Sequence, residues 1–212
     1  RTTITARDNA VPPADITAID SHAHVFVRGL PLAATRRHAP DYEATLAEYL
    51  ALLDAHGVSH GVLVQPSFLG TDNSFLIDAL RACPRRLRGV AVVDPGVDDA
   101  ALQAMADAGV CGIRLNLVGM PLPDFSLPDW RRLFARVRAL DWHVELHRES
   151  RDLPLAAQPV LDAGCALVVD HFRVRRLGLC LAARCRGLRT RLGQVIGRLP
   201  QLARDHRRRG GA

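Results

Sequence analysis

The chain has 212 residues, 48% of them hydrophobic, which is enough for one good-sized domain with a buried core. Its formal net charge of +6 averages two opposite segments. Residues 1–172 carry 16 Arg and 21 acidic residues (net −5), whereas residues 173–212 carry 12 Arg and one acid (net +11). The basic total therefore does not by itself indicate a nucleic-acid or membrane partner, because only the final segment supports it.

The cysteine pattern is that of an intracellular protein. The five cysteines are odd in number and none forms a Cys-x-x-Cys pair, which predicts reduced thiols rather than a disulfide scaffold. The first residues lack an apolar leader, and no run of 18 apolar residues occurs. We therefore expect a cytoplasmic protein with neither a signal peptide nor a membrane span.

Short apolar runs alternate with helix-length segments along the chain. Six runs rich in Val, Ile or Leu predict strands buried on both faces: Thr17–His24, Gly61–Gln65, Gly89–Asp94, Gly112–Leu117, His143–His147 and Ala166–Asp170. Apolar spacing that ends near Gly or Pro predicts helices between them: Tyr42–His56, Asn73–Ala82, Asp98–Ala108, Asp129–Leu140 and Gln158–Ala163.

This alternation indicates parallel βα units. The absence of a Gly-x-Gly-x-x-Gly motif and of a P-loop favours a barrel over a nucleotide-binding open sheet. A complete barrel requires eight strands and about 250 residues. We therefore predict an α/β fold. Residues 1–172 would form an incomplete TIM (β/α)8-type barrel of six βα units, and residues 173–212 an atypical Arg-rich segment.

The motif Asp-Ser-His-Ala-His, residues 20–24, closes the first predicted strand. Side chains two positions apart in a strand share a face, so we expect His22 and His24 to point together into the mouth of the barrel. Two imidazoles on one face suit a bidentate metal site or an acid/base pair.

Polar side chains also close later strands, near the rim where barrel enzymes carry their chemistry. They are Arg114 and Asn116 on strand 4, His143, Glu145 and His147 on strand 5, and His171 on strand 6. The structural alternative for each is a rim residue hydrogen-bonded to a neighbouring loop. Four strands contributing such residues together favour a functional site.

The loop Gln65–Asn73 after strand 2 is rich in small polar side chains. Two of them, Ser67 and Thr71, suit hydrogen bonds to substrate oxygens. The same stretch also suits a turn followed by a helix N-cap at Thr71, Asp72 or Asn73. The two roles are compatible.

The chain resembles the amidohydrolase superfamily in five ordered segments. These are Asp-Ser-His-Ala-His, Gln-Pro-Ser-x-x-Gly-Thr-Asp-Asn, Arg-Gly-Val-Ala-Val-Val-Asp-Pro, Gly-Ile-Arg-Leu-Asn and Val-Asp-His-Phe. Within the superfamily, it is most similar to the amidohydrolase-2 group, which includes lactone hydrolases. The resemblance covers about residues 16–172.

The resemblance implies a reaction centre formed by strand-1, strand-5 and strand-6 residues and by a strand-8 Asp. The implied catalytic residues are His22, His24 and His171, and the implied substrate-binding residues are Ser67, Thr71, Arg114 and Asn116. The implied ligands of a divalent metal such as Zn²⁺ are His22, His24, His147 and His171. Arg114 would bind a substrate carboxylate or the lactone carbonyl. A metal-bound and a metal-free site are both compatible with the resemblance.

Residues 173–212 consist largely of Arg, Leu, Gly and Ala, the mixture that GC-rich DNA gives when translated in a wrong frame. No part of this segment resembles the strand-8 region of the family. We therefore hypothesise a frameshift near codon 172 that removes strands 7 and 8 and cripples the enzyme. The alternative is a genuine amphipathic helix between Leu181 and Leu202, which Gly187, Gly193 and Pro200 would interrupt.

Together these observations predict a hydrolase that opens a small lactone or cyclic ester by water activated at a His-lined site. One alternative is a metal-dependent decarboxylase of the same superfamily. Another is a non-catalytic remnant whose basic tail binds nucleic acid. The expected partner is a small carboxylate or lactone, with no membrane; nucleic acid is less favoured, and a homo-oligomer is compatible with the sequence.

Overall fold

The computed structural model describes residues 16–170, in which six strands alternate with five helices. The strands are β1 Ile19–Ala23, β2 His60–Val64, β3 Leu87–Ala91, β4 Val110–Asn116, β5 His143–His147 and β6 Ala166–Val169. The helices are α1 Leu46–Ala55, α2 Ser74–Ala82, α3 Asp99–Asp107, α4 Pro128–Ala139 and α5 Leu153–Asp162. Predictions made for His171 and for residues 173–212, including the frameshift, lie outside the described residues.

All six strands are parallel and lie in sequential order across one sheet. This arrangement confirms the predicted α/β class and fits an incomplete TIM-type barrel. The carboxyl ends of the strands meet at one edge, where the loops with the polar motifs emerge. Among residues 16–170, no helix combines the length and apolar character needed to cross a bilayer.

The helices begin where the sequence supplies a cap. Thr45 and Glu48 form a capping box at α1, in which each side chain accepts a hydrogen bond from the backbone N–H of the other residue. Asp98 caps α3 by accepting from the N–H of Ala101. Pro128 occupies the first turn of α4, where its missing N–H costs nothing.

Two helix starts differ from the prediction by more than one residue. The stretch Tyr42–Ala44, predicted to begin α1, is not helical because it forms an antiparallel bridge with Phe26. Helix α5 begins at Leu153 rather than at the predicted Gln158. Pro154 lies in its first turn, a position that tolerates proline, so the helix can begin before the predicted start.

Glycines allow the helices to lie close against the outer face of the sheet. A Cβ atom at Gly61 on β2 would be 2.1 Å from the Tyr49 hydroxyl oxygen of α1. A Cβ atom at Gly89 on β3 would be 2.6 Å from a methyl carbon of Leu80 on α2. The layer between sheet and helices forms the main apolar core, which includes the fully buried Leu63.

The pairing of β1 with β2 contains an irregularity between Asp20 and Ala23. Asp20 faces helix α1, where its Oδ2 accepts a 3.2 Å hydrogen bond from the Tyr49 hydroxyl. His22 instead faces Glu145 on β5, on the other side of the sheet. Strict alternation would place Asp20 and His22 on one face of the sheet. The irregularity therefore turns His22 to the face opposite Asp20.

Candidate active site

The two histidines of the β1 motif lie side by side at the carboxyl edge of the sheet. Their Nε2 atoms are 3.3 Å apart, and the rings meet edge to face. Nδ1 of His24 is 2.7 Å from the backbone carbonyl oxygen of Val64, at the end of β2. Because a carbonyl only accepts, this contact assigns the ring proton of neutral His24 to Nδ1 and makes its Nε2 an acceptor.

The protonation state of His24 follows from its surroundings. Burial lowers its pKa to about 4, and the charges of His22 and Arg114 act in the same direction, while the Val64 carbonyl opposes them. His24 is therefore neutral at neutral pH. It offers the site a lone pair rather than a positive charge.

A buried cluster of charges lies beside the histidines. Arg114 on β4, Glu145 on β5 and Asp170 after β6 are exposed by only 4%, 3% and 6%. Nε of Arg114 is 3.1 Å from Oε1 of Glu145 and 3.0 Å from Oδ2 of Asp170, and Nη2 also contacts Asp170. One guanidinium thus compensates two carboxylates that could not otherwise remain charged away from water.

His22 connects the histidine pair to this cluster. Its Nδ1 is 3.4 Å from Oε1 of Glu145 and 3.6 Å from Oδ1 of Asp170. Its Nε2, on the other side of the ring, faces His24. A proton on Nδ1 would face carboxylates, and a proton on Nε2 would face the lone pair of His24.

His147 adds a third imidazole to the cluster. Its Nδ1 is 3.4 Å from Nη2 of Arg114 and 3.9 Å from Oδ2 of Asp170. Because the guanidinium only donates, the ring nitrogen accepts in the first contact. Strand β5 therefore brings both Glu145 and His147 to the site, as its alternation predicts.

The loop between β1 and α1 also reaches the site. Nη2 of Arg37 donates a 3.0 Å hydrogen bond to Oδ1 of Asn116, at the end of β4. The loop is fixed by a 2.8 Å hydrogen bond from the N–H of Ala33 to the carbonyl of Phe68. The rings of His38 and Phe68 also meet edge to face, with centroids 6.2 Å apart.

The loop after β2 is held by buried amides. Gln65 is fully buried, and its Nε2 donates to the carbonyl oxygens of Gly70 and Asp72 at 3.3 and 2.7 Å. Asn73, one of the three predicted candidates, is the N-cap residue of α2, but its side chain makes no capping hydrogen bond and instead bridges to the backbone of Val92. These bonds fix the loop conformation from within.

Most predicted site residues are brought to this edge of the sheet. His22, His24, Arg114 and His147 meet in the cluster, Asn116 lies beside them on β4, and Ser67 and Thr71 are exposed on the β2 loop. The predicted catalytic and metal-binding residue His171 lies outside the described residues. The roles of all these residues stay predictions.

The sequence analysis placed Glu145 at the site without giving it a role, and it did not identify Asp170 or Arg37 as site residues. For Glu145 the signal was present, since it shares the inward face of β5 with His147. Arg37 is 79 positions from its partner Asn116, and no local pattern links a loop residue to a strand so distant.

One group of side chains could hold a metal ion. A ring nitrogen of His22 and carboxylate oxygens of Glu145 and Asp170 lie within 4.8 Å of one another. Oε1 of Glu145 is buried, and its contacts with Arg114 and His22 are ion-pair contacts without hydrogen-bond geometry, so it has no hydrogen bond to any described residue. An imidazole with two carboxylates fits a divalent cation. Of the three predicted histidine ligands within residues 16–170, this group contains His22 but not His24 or His147.

The chain is similar to known enzymes over about three quarters of its length. A 2-pyrone-4,6-dicarboxylate hydrolase from Comamonas testosteroni is 38% identical over 157 residues, 73% of this chain and 51% of the relative. A 4-sulfomuconolactone hydrolase from Hydrogenophaga intermedia is 31% identical over 158 residues, 72% of this chain and 51% of the relative. The chain thus spans about half the length of the curated relatives it matches.

Solved structures agree with this relationship. A candidate 2-pyrone-4,6-dicarboxylic acid hydrolase from Pseudomonas putida is 54% identical, with a TM-score of 0.68 over 74% of this chain and 57% of that one. A second candidate, from Acinetobacter baumannii, is 42% identical, with a TM-score of 0.71 over 73% and 58%. The family model described as Amidohydrolase matches residues 19–208, which continues past the change in composition at Phe172. The chain therefore belongs to the amidohydrolase family.

Proposed function

We propose that the protein hydrolyses a small anionic lactone. The observation that carries this proposal is the linkage of a histidine pair, in which His24 is neutral, to a buried arginine–carboxylate cluster at the carboxyl edge of the strands. Such a site combines acceptors that can orient a water molecule with a cation that can polarise a carbonyl group. The names of the relatives from Comamonas and Hydrogenophaga support lactone hydrolysis.

The relatives also suggest the class of substrate. One name specifies a dicarboxylate and the other a sulfonated lactone. The related Acinetobacter protein was solved with citric acid, a tricarboxylate, bound. We propose that the substrate of this chain likewise carries carboxylate or sulfonate groups, for which an arginine-containing site is suited.

His24 is proposed to orient the attacking water. Its Nδ1 is engaged with the Val64 carbonyl, so its Nε2 can accept a hydrogen bond from water in the neutral form. His22 is proposed to accept a proton at Nε2, which faces His24. It would release a proton from Nδ1, which faces Glu145 and Asp170. This arrangement gives the proton of the water a path to a buried carboxylate.

Arg114 is proposed to bind the lactone carbonyl through the edge of its guanidinium that the protein does not use. Nε and Nη2 contact Glu145, Asp170 and His147, whereas Nη1 has no partner among residues 16–170. Two N–H donors of Nη1 are thus left for an oxygen that gains negative charge during attack. Stabilisation of developing charge by fixed donors is usually a large contribution to catalysis.

Asn116, Ser67 and Thr71 are proposed to complete the substrate site. Oδ1 of Asn116 accepts from Arg37, which leaves the amide N–H groups to donate to substrate. Ser67 and Thr71 are exposed on a loop that the buried Gln65 amide holds in place. Their hydroxyl groups can therefore donate to a substrate from a fixed loop conformation.

The site also fits a divalent metal, although Arg114 shares the same carboxylates. His22, Glu145 and Asp170 would hold the ion, since their donor atoms cluster and Oε1 of Glu145 lacks a hydrogen bond within the described residues. A divalent ion bound there would act as a Lewis acid and lower the pKa of a bound water. The roles proposed above for His24 and Arg114 do not require the ion, whereas Nδ1 of His22 could not both bind the ion and pass a proton to the carboxylates.

The experiment is a ring-opening assay with 2-pyrone-4,6-dicarboxylate, followed by loss of pyrone absorbance and by release of CO₂. We expect ring opening without CO₂, and His24→Asn, which keeps a donor toward Val64 but removes Nε2, should lower kcat/KM by about 100-fold or more. His56→Asn, at the exposed end of α1, is the matched control and should retain activity.

Three outcomes would overturn the proposal. CO₂ release in place of ring opening would establish the decarboxylase alternative. Full activity of His24→Asn would remove the role given to that residue. No turnover by the wild-type chain, together with salt-sensitive nucleic-acid binding that is lost on deleting residues 173–212, would instead support the basic-tail alternative.

A further inference from the structure

Two guanidinium groups come from different elements to the same edge of the sheet. Arg114 extends from β4 and is almost completely buried. Arg37 comes from the loop after β1, and its exposed side chain reaches Asn116, the inward position next to Arg114 on β4. The two cations therefore lie at the same edge of the sheet, Arg114 buried and Arg37 exposed at the rim.

The two cations differ in how their charge is compensated. Arg114 is paired with the carboxylates of Glu145 and Asp170. For Arg37, no carboxylate lies within ion-pair distance among residues 16–170, and its hydrogen-bond partner is the neutral amide of Asn116. The positive charge at the rim is thus available to an anion from outside.

The contact between Arg37 and Asn116 is not expected to stabilise the fold. The net gain from an exposed hydrogen bond between a guanidinium and an amide is of the same size as the side-chain entropy lost when a long arginine is ordered. The loop is already anchored by the Ala33–Phe68 hydrogen bond. The contact does, however, hold the guanidinium over the site in a fixed direction, which reduces the entropy lost on binding a ligand.

We propose that Arg37 is a specificity-determining residue that binds a second anionic group of the substrate, the one distant from the lactone carbonyl. Asn116 is the positioning residue that aims it. This inference rests on the proposed lactone hydrolysis and extends it by assigning the discrimination between singly and doubly charged rings to one rim residue. The recognised group is a carboxylate or a sulfonate, either of which a guanidinium binds through paired N–H donors.

The test uses the full chain and two non-hydrolysable probes, isophthalate and benzoate, whose affinities are measured by calorimetry. Isophthalate carries two carboxylates in meta positions of a six-membered ring, and benzoate carries one. Arg37→Met, which keeps length but removes charge, should weaken isophthalate binding about tenfold or more. Benzoate binding should change by no more than about twofold.

Arg36→Met is the matched control, because Arg36 is also exposed and its hydrogen bond within residues 16–170 goes to the carbonyl of Ala33. It should leave both affinities unchanged. Arg37→Lys should recover part of the loss, since a lysine retains the charge but not the paired donors. Equal weakening of both probes, no weakening of either, or no isophthalate binding by the wild-type chain would overturn the proposal.

The same proteins separate this inference from the proposed reaction. Suppose that isophthalate binds in an Arg37-dependent manner while the wild-type chain opens no lactone. The anion site is then correct and the reaction is wrong. If the lactone is opened and Arg37→Met leaves kcat/KM for the dicarboxylate unchanged, the reaction is correct and the role of Arg37 is wrong.

Discussion

Arg114 and Asp170 are 56 positions apart in the chain, yet the guanidinium of one contacts the carboxylate of the other across the intervening strand β5. The contact joins the middle of β4 to the residue that follows β6. It also lies next to His22 on β1 and His147 on β5, so it is part of both the fold and the candidate active site.

The buried position of Arg114 makes its loss costly. In Arg114→Met two carboxylates remain buried without a cation, so we expect the free energy of unfolding to fall by about 3–5 kcal/mol. Urea denaturation measures the change. The control is Arg132→Met, which breaks an exposed pair with Asp129 and should cost less than about 1 kcal/mol. Equal costs in the two variants would show that Arg114 does not compensate the carboxylates.

The lowered pKa of His24 predicts an acid-sensitive stability. Between pH 4 and 6.5 the unfolded chain binds a proton at this residue and the folded chain does not, so stability falls as the pH is lowered through this range. Above 6.5 the residue contributes no pH dependence. Denaturation curves at several pH values, with a chelator present, measure the slope.

His24→Asn should show a smaller slope over the same range. The slope should not vanish, because burial also lowers the pKa of His143 and gives a contribution of the same sign. A slope identical to that of the wild type would mean that His24 is not held neutral by burial.

The close packing of α1 on β2 predicts a strict requirement for glycine at position 61. In Gly61→Ala the new methyl group would be 2.1 Å from the Tyr49 oxygen, so Tyr49 must move and lose its bond to Asp20. We expect a loss of about 1–3 kcal/mol in the free energy of unfolding, measured by urea denaturation. Tyr49→Phe should recover part of the loss in the double variant, because it removes the nearest atom.

Gly96→Ala is the control for this substitution, since nothing lies within 4 Å of its added carbon. It should be neutral or slightly stabilising. A Gly61→Ala variant as stable as Gly96→Ala would contradict the packing of Tyr49 on this strand.

The three-donor group of His22, Glu145 and Asp170 predicts stabilisation by a divalent metal. Zn²⁺ at about 100 times its dissociation constant should add about 2.7 kcal/mol to the free energy of unfolding and raise the melting temperature. Glu145→Gln should abolish the increase. Glu43→Gln, at an exposed position, should retain it, and an equal rise in both variants would exclude Glu145 as a ligand.

The sequence predicted the strands better than the contacts between them. The bounds predicted for β5 coincide with those of the structure, because the alternation of polar and apolar residues in His-Val-Glu-Leu-His is a local signal. Alternation also placed Glu145 beside His147. The cluster around Arg114 depends on which strands are neighbours, and the contact of Arg37 with Asn116 depends on where a loop folds back. Neither is determined by residues close in sequence.

The irregularity in β1 separates two kinds of constraint within a strand of five residues. Asp20 depends on Tyr49 and therefore on the packing of a helix, whereas His22 depends on the polar groups of β5 and β6. Substitutions on one side can be compensated without disturbing the other. A change in the spacing between Asp20 and His22 cannot be compensated in this way. Inserting or deleting one residue there would turn the histidines toward the helix layer and bring scaffold residues into the site.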